Sequence, residues 1–168
     1  MVKTQELRKI SMFTDMPEDL LETVADQAQL SIFSQGTVLF KPGEKIEYFY
    51  LLLMGQVSME VELSEGVDVI LETAHSGSCF GFSSLVPGAR AFASAICQDP
   101  CEVITLPGEK MIRHCEKDPE LGYQIMLRVA RQYKEGMDSR TEMIKKIFDK
   151  VPDFKHRGHE MDPLTPIF

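Results

Sequence analysis

The sequence has no tryptophan and no long hydrophobic run among its 168 residues. Its strongly apolar segment, Tyr48 to Met54, has the length of a β-strand, whereas a membrane-spanning helix needs about 20 apolar residues. Residues 1–6 also lack the apolar core of a signal peptide. We therefore predict a cytoplasmic protein that does not contact membranes.

Positive charge is scarce as well. The chain carries 18 Lys and Arg against 26 Asp and Glu, for a net charge of −8. Residues 1–127 hold 9 basic against 19 acidic side chains, which gives −10, whereas residues 128–168 hold 9 against 7, which gives +2. Because nucleic-acid backbones attract clustered Lys and Arg, this balance predicts no direct binding of nucleic acid.

Motifs for catalysis and for metal binding are missing. The sequence contains no P-loop and no nucleophile elbow. Its four cysteines form no CxxC motif and have no zinc spacing with histidine: Cys79, Cys97, Cys101 and Cys115. We expect neither an enzyme nor a metal site, and reduced structural thiols are the plain interpretation of the cysteines.

Two residue pairs leave other interpretations open. Cys97 and Cys101 flank a predicted turn, so they are either two ordinary thiols or a redox-sensitive pair within disulfide reach. His75 and Cys79 either offer ligands to haem iron or a metal, or are an ordinary turn residue and a structural thiol.

The first segment, residues 1–29, has the pattern of helices. A weak helix is expected to end near Ile10, and a second one to follow Asp15 as the N-cap, with Pro17 in its first turn. The apolar residues of the second helix recur at helical spacing and predict a face that packs on the core: Leu20, Leu21, Val24 and Ala28.

Residues 30–106 predict short antiparallel strands separated by glycine-containing turns. The expected strands are 30–34, 37–41, 48–54, 56–62, 67–73, 92–97 and 102–106. Many short strands at this spacing indicate a jelly-roll barrel of about eight strands. The fold class is therefore mainly β with flanking helices.

Two helices are predicted in residues 107–150, the first beginning after Pro107 and the second capped by Asp118, with Pro119 as its first residue. An apolar stripe follows the second helix at Leu121, Ile125, Val129, Tyr133, Met137, Ile144 and Phe148. Residues 151–168 show little periodicity and predict a tail whose Leu164, Ile167 and Phe168 either bind back or contact a partner.

One stretch, residues 80–91, has the composition of an anion site. An aromatic residue and a glycine, Phe80 and Gly81, lead into serines that can begin a helix, and Arg90 follows a short loop. Backbone N–H groups at a helix start attract anions, and a guanidinium can bind two phosphate oxygens at once. We expect this stretch to bind phosphate. The alternative is that Arg90 is a surface arginine paired with a carboxylate.

Residues 80–91 closely resemble the phosphate-binding cassette of cyclic nucleotide-binding domains, the family of the catabolite activator effector domain. The family pattern is aromatic-Gly-Glu-hydrophobic-small-Leu, then a few residues and Arg-small-Ala. The residues that fit are Phe80, Gly81, Ser84, Leu85, Arg90 and Ala91. Earlier positions match in order and spacing at Gly36, Gly43, Glu44, Tyr48 to Leu53, Gly55 and Val57, and the likeness covers about residues 5–148.

The resemblance implies a ligand site and its ligand. It assigns phosphate binding to Phe80, Gly81, Phe82, Ser83, Ser84, Leu85, Arg90 and Ala91, with a cyclic nucleotide such as cAMP or cGMP, or a related small anion, as the ligand. Phe82 departs from the family, which has a glutamate there that accepts a hydrogen bond from the ribose 2′-hydroxyl. Losing that partner costs about 1–3 kcal/mol, so weak cAMP binding is expected.

Two further questions concern this cassette. Phe82 either stacks on and shapes a site for a different ligand, or fills the pocket and leaves it empty. The loop Val86 to Ala89 is one residue shorter than is common in the family, a change that can move Arg90 away from the phosphate.

The resemblance also implies how the domain signals. In the family the long helix closes over the nucleotide and forms a dimer, which here assigns a homodimer contact to Ile125, Val129, Tyr133 and Met137. The sequence ends before a helix-turn-helix domain, so we expect a stand-alone regulatory module with a possible protein partner. The alternatives are a degenerate domain with an empty pocket that binds a protein, or a haem- or redox-sensing variant.

Overall fold

A computed structural model describes residues 1–150 of the chain, and the predicted tail at 151–168 lies outside the described residues. The chain divides into two units, Met1–Val129 and Ala130–Phe168. Everything from the N-terminus to the third turn of the last helix belongs to the first unit. The second unit, as far as it is described, is the rest of that helix.

The N-terminal segment forms α1 (Thr4–Leu7), a 3₁₀ turn (Ser11–Phe13) and α2 (Glu18–Ala25). Leu20, Leu21 and Val24 of α2 are buried, as the apolar spacing predicts. The expected cap was wrong by two residues, because the N-cap is Pro17 and not Asp15. Proline disfavours helical geometry in the residue before it, so Met16 is a poor first helical residue, which a cap at Asp15 would require.

Eight strands follow in two four-stranded antiparallel sheets. The strands are β1 (Gln29–Phe33), β2 (Val38–Phe40), β3 (Tyr48–Met54), β4 (Gln56–Ser64), β5 (Val67–His75), β6 (Cys79–Phe80), β7 (Ser94–Cys97) and β8 (Cys101–Pro107). One sheet has the order β1-β8-β3-β6 and the other β2-β7-β4-β5. This confirms the predicted jelly roll, with β6 as a strand that the sequence pattern did not reveal.

Two hydrophobic clusters result from the alternation of side chains along β3. Tyr50 and Leu52 point between the two sheets and join the inter-sheet cluster. Phe49 and Leu51 point to the opposite face and pack with the helices in the helix-side cluster. One face of this sheet therefore packs in the interior of the roll, and the other face packs against the helices.

Two helices complete the described chain. They are α3 (Gly108–Lys117) and α4 (Pro119–Lys150), separated by Asp118. The Asp118 carboxylate accepts hydrogen bonds from the N–H groups of Glu120 (3.0 Å) and Leu121 (3.1 Å), which confirms it as the cap. Within residues 1–150, every helix is too short or too polar to cross a bilayer.

Candidate anion-binding site

The cassette begins with a tight turn that requires glycine. Gly81 follows β6 with φ of +79°, and a Cβ there would lie 2.8 Å from Cδ2 of Tyr50 and 3.0 Å from the Tyr48 carbonyl oxygen. Both the backbone angle and the close approach exclude a side chain. A short 3₁₀ helix, Phe82–Leu85, starts from this turn.

Aromatic rings pack the space between the sheets next to the cassette. The rings of Tyr50 and Phe80 stack with centroids 4.9 Å apart and an interplanar angle of 2°. Phe40 lies 5.9 Å from Tyr50 and 6.4 Å from Phe80. Burial raises the pKa of Tyr50 to about 12. Phe40, Tyr50 and Phe80 are all buried, so these rings fill part of the inter-sheet space beside the cassette.

Phe82 points to the other side of the sheet. Its ring centroid lies 5.2 Å from that of Phe49, and it packs against the helix-side cluster. Both sequence interpretations placed this ring at a ligand pocket, either shaping the pocket or filling it. The contact with Phe49 instead supports a packing role beneath the helices, which also explains why an apolar residue suits this position.

Arg90 ties the end of the cassette to the turn that precedes β3. Its Nη1 donates a hydrogen bond to the Gly43 carbonyl oxygen at 2.8 Å. Two backbone hydrogen bonds join the same segments. The Ala91 N–H donates to the Glu44 carbonyl oxygen (2.8 Å), and the Gly43 N–H donates to the Ala91 carbonyl oxygen (2.7 Å). The Ala91 N–H that the resemblance assigned to phosphate is therefore engaged within the protein.

The cassette also satisfies part of its own backbone. Both the N–H and the hydroxyl of Ser84 donate to the Gly81 carbonyl oxygen, at 3.0 and 2.8 Å. The Ser84 N–H, a second expected phosphate donor, is therefore also occupied. The exposed guanidinium of Arg90, which has five N–H groups and one described acceptor, keeps most of its donor capacity.

A cavity of about 400 Å³ lies where the cassette faces α3. Of the eight predicted site residues, three line it, namely Ser83, Ser84 and Arg90. Phe80, Gly81, Leu85 and Ala91 are buried in the surrounding structure. The cavity walls also contain Lys45, Ile46, residues 86–89, Glu109, Ile112, Arg113 and Glu116.

Sequence patterns did not identify the charged residues that α3 and the turn before β3 bring to this cavity. Lys45 Nζ lies 2.6 Å from Glu109 Oε1, and both side chains are exposed. The hydrogen bond and the charge of the partner raise the pKa of Lys45 and lower that of Glu109. Being 64 residues apart, they leave no local signal in the sequence.

The start of α3 rests directly on the cassette helix. A Cβ at Gly108 would lie 2.2 Å from the Ser84 carbonyl oxygen and 2.8 Å from Ser84 Cβ. The Gly108 N–H donates to the Glu47 carbonyl oxygen at 2.9 Å. Glycine permits this close approach, so α3 and the cassette helix pack directly against each other at Ser84 and Gly108.

Residues 31–118, just over half of the chain, match the family model of the cyclic nucleotide-binding domain. The chain belongs to the cyclic nucleotide-binding domain family. The resemblance drawn from the cassette is thereby confirmed.

Relatives of this cyclic nucleotide-binding domain agree with the match. It is 31% identical over 121 residues to the global nitrogen regulator of Synechococcus elongatus, covering 69% of this chain and 51% of that protein. A structure assigned to a cyclic nucleotide-binding protein of Geobacter metallireducens superposes with a TM-score of 0.72 at 26% identity, covering 82% of this chain and 99% of that one. The regulatory domain of Toxoplasma gondii PKA in complex with cAMP is similar with a TM-score of 0.56 at 23% identity, covering 63% and 40%.

The chain spans about half the length of that nitrogen regulator. The family match at residues 31–118 extends over the roll and α3. The activities of the whole relatives belong to those proteins.

The predicted dimer residues on α4 of this cyclic nucleotide-binding domain lie in two environments. Ile125 (1% exposed) and Val129 (5%) are buried in the helix-side cluster of the first unit. Tyr133 (43%) and Met137 (64%) are exposed. Ile125 and Val129 thus form part of the domain's own core, and only Tyr133 and Met137 remain on the surface.

The four cysteines are free thiols in this structure, and Cys97 and Cys101 are both buried between the sheets. Burial raises the pKa of Cys97 to about 12, with the neighbouring Cys101 adding to the shift. Cys79 is also buried, with its sulfur 3.7 Å from that of Met12, whereas His75 is exposed. Residues 1–150 contain no cluster of three or more metal-ligating side chains.

Proposed function

We propose that this cyclic nucleotide-binding domain is a regulatory module that senses a small anionic ligand and signals through α3 and α4. The ligand class is a cyclic nucleotide or a related phosphate. The observation that carries the proposal is the contact of the cassette helix with the start of α3. The Ser84 carbonyl group lies so close to Gly108 that a side chain at this position would clash with it. Anything that moves the cassette therefore acts on α3.

A ligand shifts such an equilibrium only by interacting differently with two arrangements. Arg90 is suited to that role because it is exposed and already holds the Gly43 carbonyl with one of its N–H groups. A phosphate that competes for the guanidinium changes the link between the cassette and the turn before β3. The cassette thus connects ligand charge to helix position.

Phe82 has no hydrogen-bond acceptor, and this determines how the site treats ligands with and without a ribose 2′-hydroxyl. Because its ring packs on Phe49, it provides no partner for a ribose 2′-hydroxyl. A family member with the glutamate gains about 1–3 kcal/mol from that contact, which corresponds to roughly ten- to a hundredfold in affinity. We expect cAMP and 2′-deoxy-cAMP to bind this chain with similar, weak affinities.

The experiment is a calorimetric titration of the chain with cAMP, cGMP and 2′-deoxy-cAMP. Arg90→Ala should weaken binding of each ligand at least tenfold, because a charge-assisted contact is lost. Arg90→Lys keeps the charge and should retain part of the affinity. Arg131→Ala, which removes an exposed arginine of α4, is the matched control. Cyclic nucleotide binding that is identical in Arg90→Ala and wild type would refute the proposal.

A homodimer through the exposed part of α4 completes the proposed signalling route. Ala130, Tyr133, Met137, Arg140, Ile144 and Ile147 follow one another at spacings of three and four, which is the pattern of a coiled-coil seam. Met137, Ile144 and Ile147 are 64%, 52% and 56% exposed. A second copy of this helix would cover that stripe.

A protein-binding module without a small ligand is the second candidate function. The observation that favours it is the stack of Tyr50 on Phe80, which fills the roll beside the cassette. In that case no cyclic nucleotide would change the thermal stability of the chain, whereas a ligand that binds the native state must raise it.

A further inference from the structure

Three cavities meet at one side chain of α3. The 400 Å³ cavity beside the cassette, a neighbouring one of about 240 Å³ and a smaller one of about 100 Å³ are all lined by Arg113. The first two also share Lys45, and the last two share Lys110. Arg113 itself is exposed. Arg113 therefore lies where three neighbouring cavities meet, in an indentation between the cassette and α3.

The basic charge of an acidic protein is concentrated here. Residues 1–127 contain nine Lys and Arg, and four of them line the two larger cavities: Lys45, Arg90, Lys110 and Arg113. The acidic residues of the same walls are Glu47, Glu109 and Glu116. The lining has a net charge of +1 within a segment of −10.

The pairing of these charges is incomplete. Glu109 is engaged by Lys45 at 2.6 Å. Within residues 1–150, neither Arg90 nor Arg113 has a carboxylate within 4.0 Å, although the charge of Arg113 helps to lower the pKa of Glu109. Two arginines without ion pairs at one cavity repel each other, and an anion between them would relieve the repulsion.

We propose that the indentation between the cassette and α3 binds a compact polyanion of the pyrophosphate type, with Arg90 and Arg113 as its two anchoring cations. The inference deepens the proposed function, on which it rests, by naming the ligand class and a contact residue outside the cassette. The volume of about 400 Å³ lies in the usual range for small-molecule sites.

The opposite face of the cassette is a poorer place for such a ligand. There the rings of Tyr50 and Phe80 are stacked, and both side chains are buried. A charge brought among buried rings also loses its hydration without a cation to replace it. The α3 side already offers guanidinium groups and open volume.

A ligand at this position would act as a bridge. Arg90 belongs to the cassette and Arg113 to α3, so one anion that contacts both holds the two elements together across the Ser84–Gly108 contact. Two phosphate groups suit two guanidinium groups better than one does. The proposal therefore predicts stronger binding of pyrophosphate than of orthophosphate.

The test is isothermal titration of the full chain with sodium pyrophosphate and with sodium orthophosphate. Wild type should bind pyrophosphate at least tenfold more tightly than orthophosphate. Arg90→Ala and Arg113→Ala should each weaken pyrophosphate binding at least tenfold, whereas Arg113→Lys should recover part of the loss. Arg131→Ala should stay within twofold of wild type. Thermal unfolding of each variant without ligand checks that the exposed substitutions leave the fold intact.

The outcomes separate this inference from the proposed function. Wild type that binds no pyrophosphate, or Arg113→Ala that binds it as wild type does, would overturn the inference. If Arg90→Ala loses cyclic nucleotide binding while Arg113→Ala keeps it, the proposed function stands, and the cyclic nucleotide binds at a part of the cassette that does not include Arg113. Loss of pyrophosphate binding in both arginine variants supports the bridge.

Discussion

Replacing Gly108 with alanine tests the contact on which the proposed signalling depends. In a helix alanine is normally better than glycine by about 0.5–1 kcal/mol, because it loses less backbone freedom on folding. At Gly108 the added methyl group would meet the Ser84 carbonyl oxygen at 2.2 Å and Ser84 Cβ at 2.8 Å. The backbone oxygen is not a flexible side-chain end, so one of the two helices has to move.

The magnitude follows from the cost of overpacking, which is about 1–3 kcal/mol in a well-packed site. For a chain of this size each kcal/mol lowers the midpoint of thermal unfolding by about 2–4 °C. We therefore expect Gly108→Ala to lower the midpoint by roughly 2–12 °C. Ligand affinity should fall as well, because the displaced cassette helix carries Ser83 and Ser84.

Gly136 provides a matched control in α4. A Cβ there meets no heavy atom within 4 Å, and its backbone angle is not in the left-handed region. Gly136→Ala should raise the unfolding midpoint by about 1–4 °C, the ordinary helix-propensity gain. Calorimetry or circular dichroism measures both variants. If Gly108→Ala stabilises the protein as much as Gly136→Ala does, the inference that α3 packs closely on the cassette helix at Gly108 is refuted.

Two other predictions concern α4 and the thiols. The double substitution of Met137 and Ile144 by glutamate should shift sedimentation from dimer to monomer, while Ser139→Glu, outside the stripe, should leave the dimer unchanged; a wild-type monomer at high concentration would contradict the seam. Burial raises the pKa of Cys79 to about 12, so its nucleophilic thiolate is scarce at pH 8 and it should react with a thiol reagent only on unfolding. Burial also raises the pKa of Cys115, but this thiol is only partly buried, so it should be the one that reacts in the native protein; Cys115→Ser should abolish that reaction, whereas an unchanged native-state reaction would show that another cysteine is accessible.

Much of the fold was predictable because its signals are local. The apolar segment 48–54 and its glycine at 55 determined β3, and the Asp118–Pro119 pair located the start of α4. These signals depend on residues within one or two turns of each other. The two-residue strand β6 escaped prediction because alternation needs a longer run than Cys79–Phe80 provides.

The candidate site was predictable only in part, since its walls come from distant segments. The cassette pattern predicted Ser83, Ser84 and Arg90, which line the cavity, whereas Lys45 and Arg113 reach the same cavity only through tertiary structure. The direction of Phe82 was not predictable either. It depends on the path of a 3₁₀ helix after Gly81, and that path determines whether the ring meets Phe49 or the space between the sheets.

The stack of Tyr50 on Phe80 makes the domain its own optical reporter. Since the chain has no tryptophan and only four tyrosines, its near-ultraviolet spectrum comes from few chromophores, and Tyr50 lies against the first glycine of the cassette. A ring that is held in one asymmetric environment gives a near-ultraviolet circular dichroism signal that loosened packing removes. Changes at the cassette can therefore be followed spectroscopically in the native sequence, without an attached label.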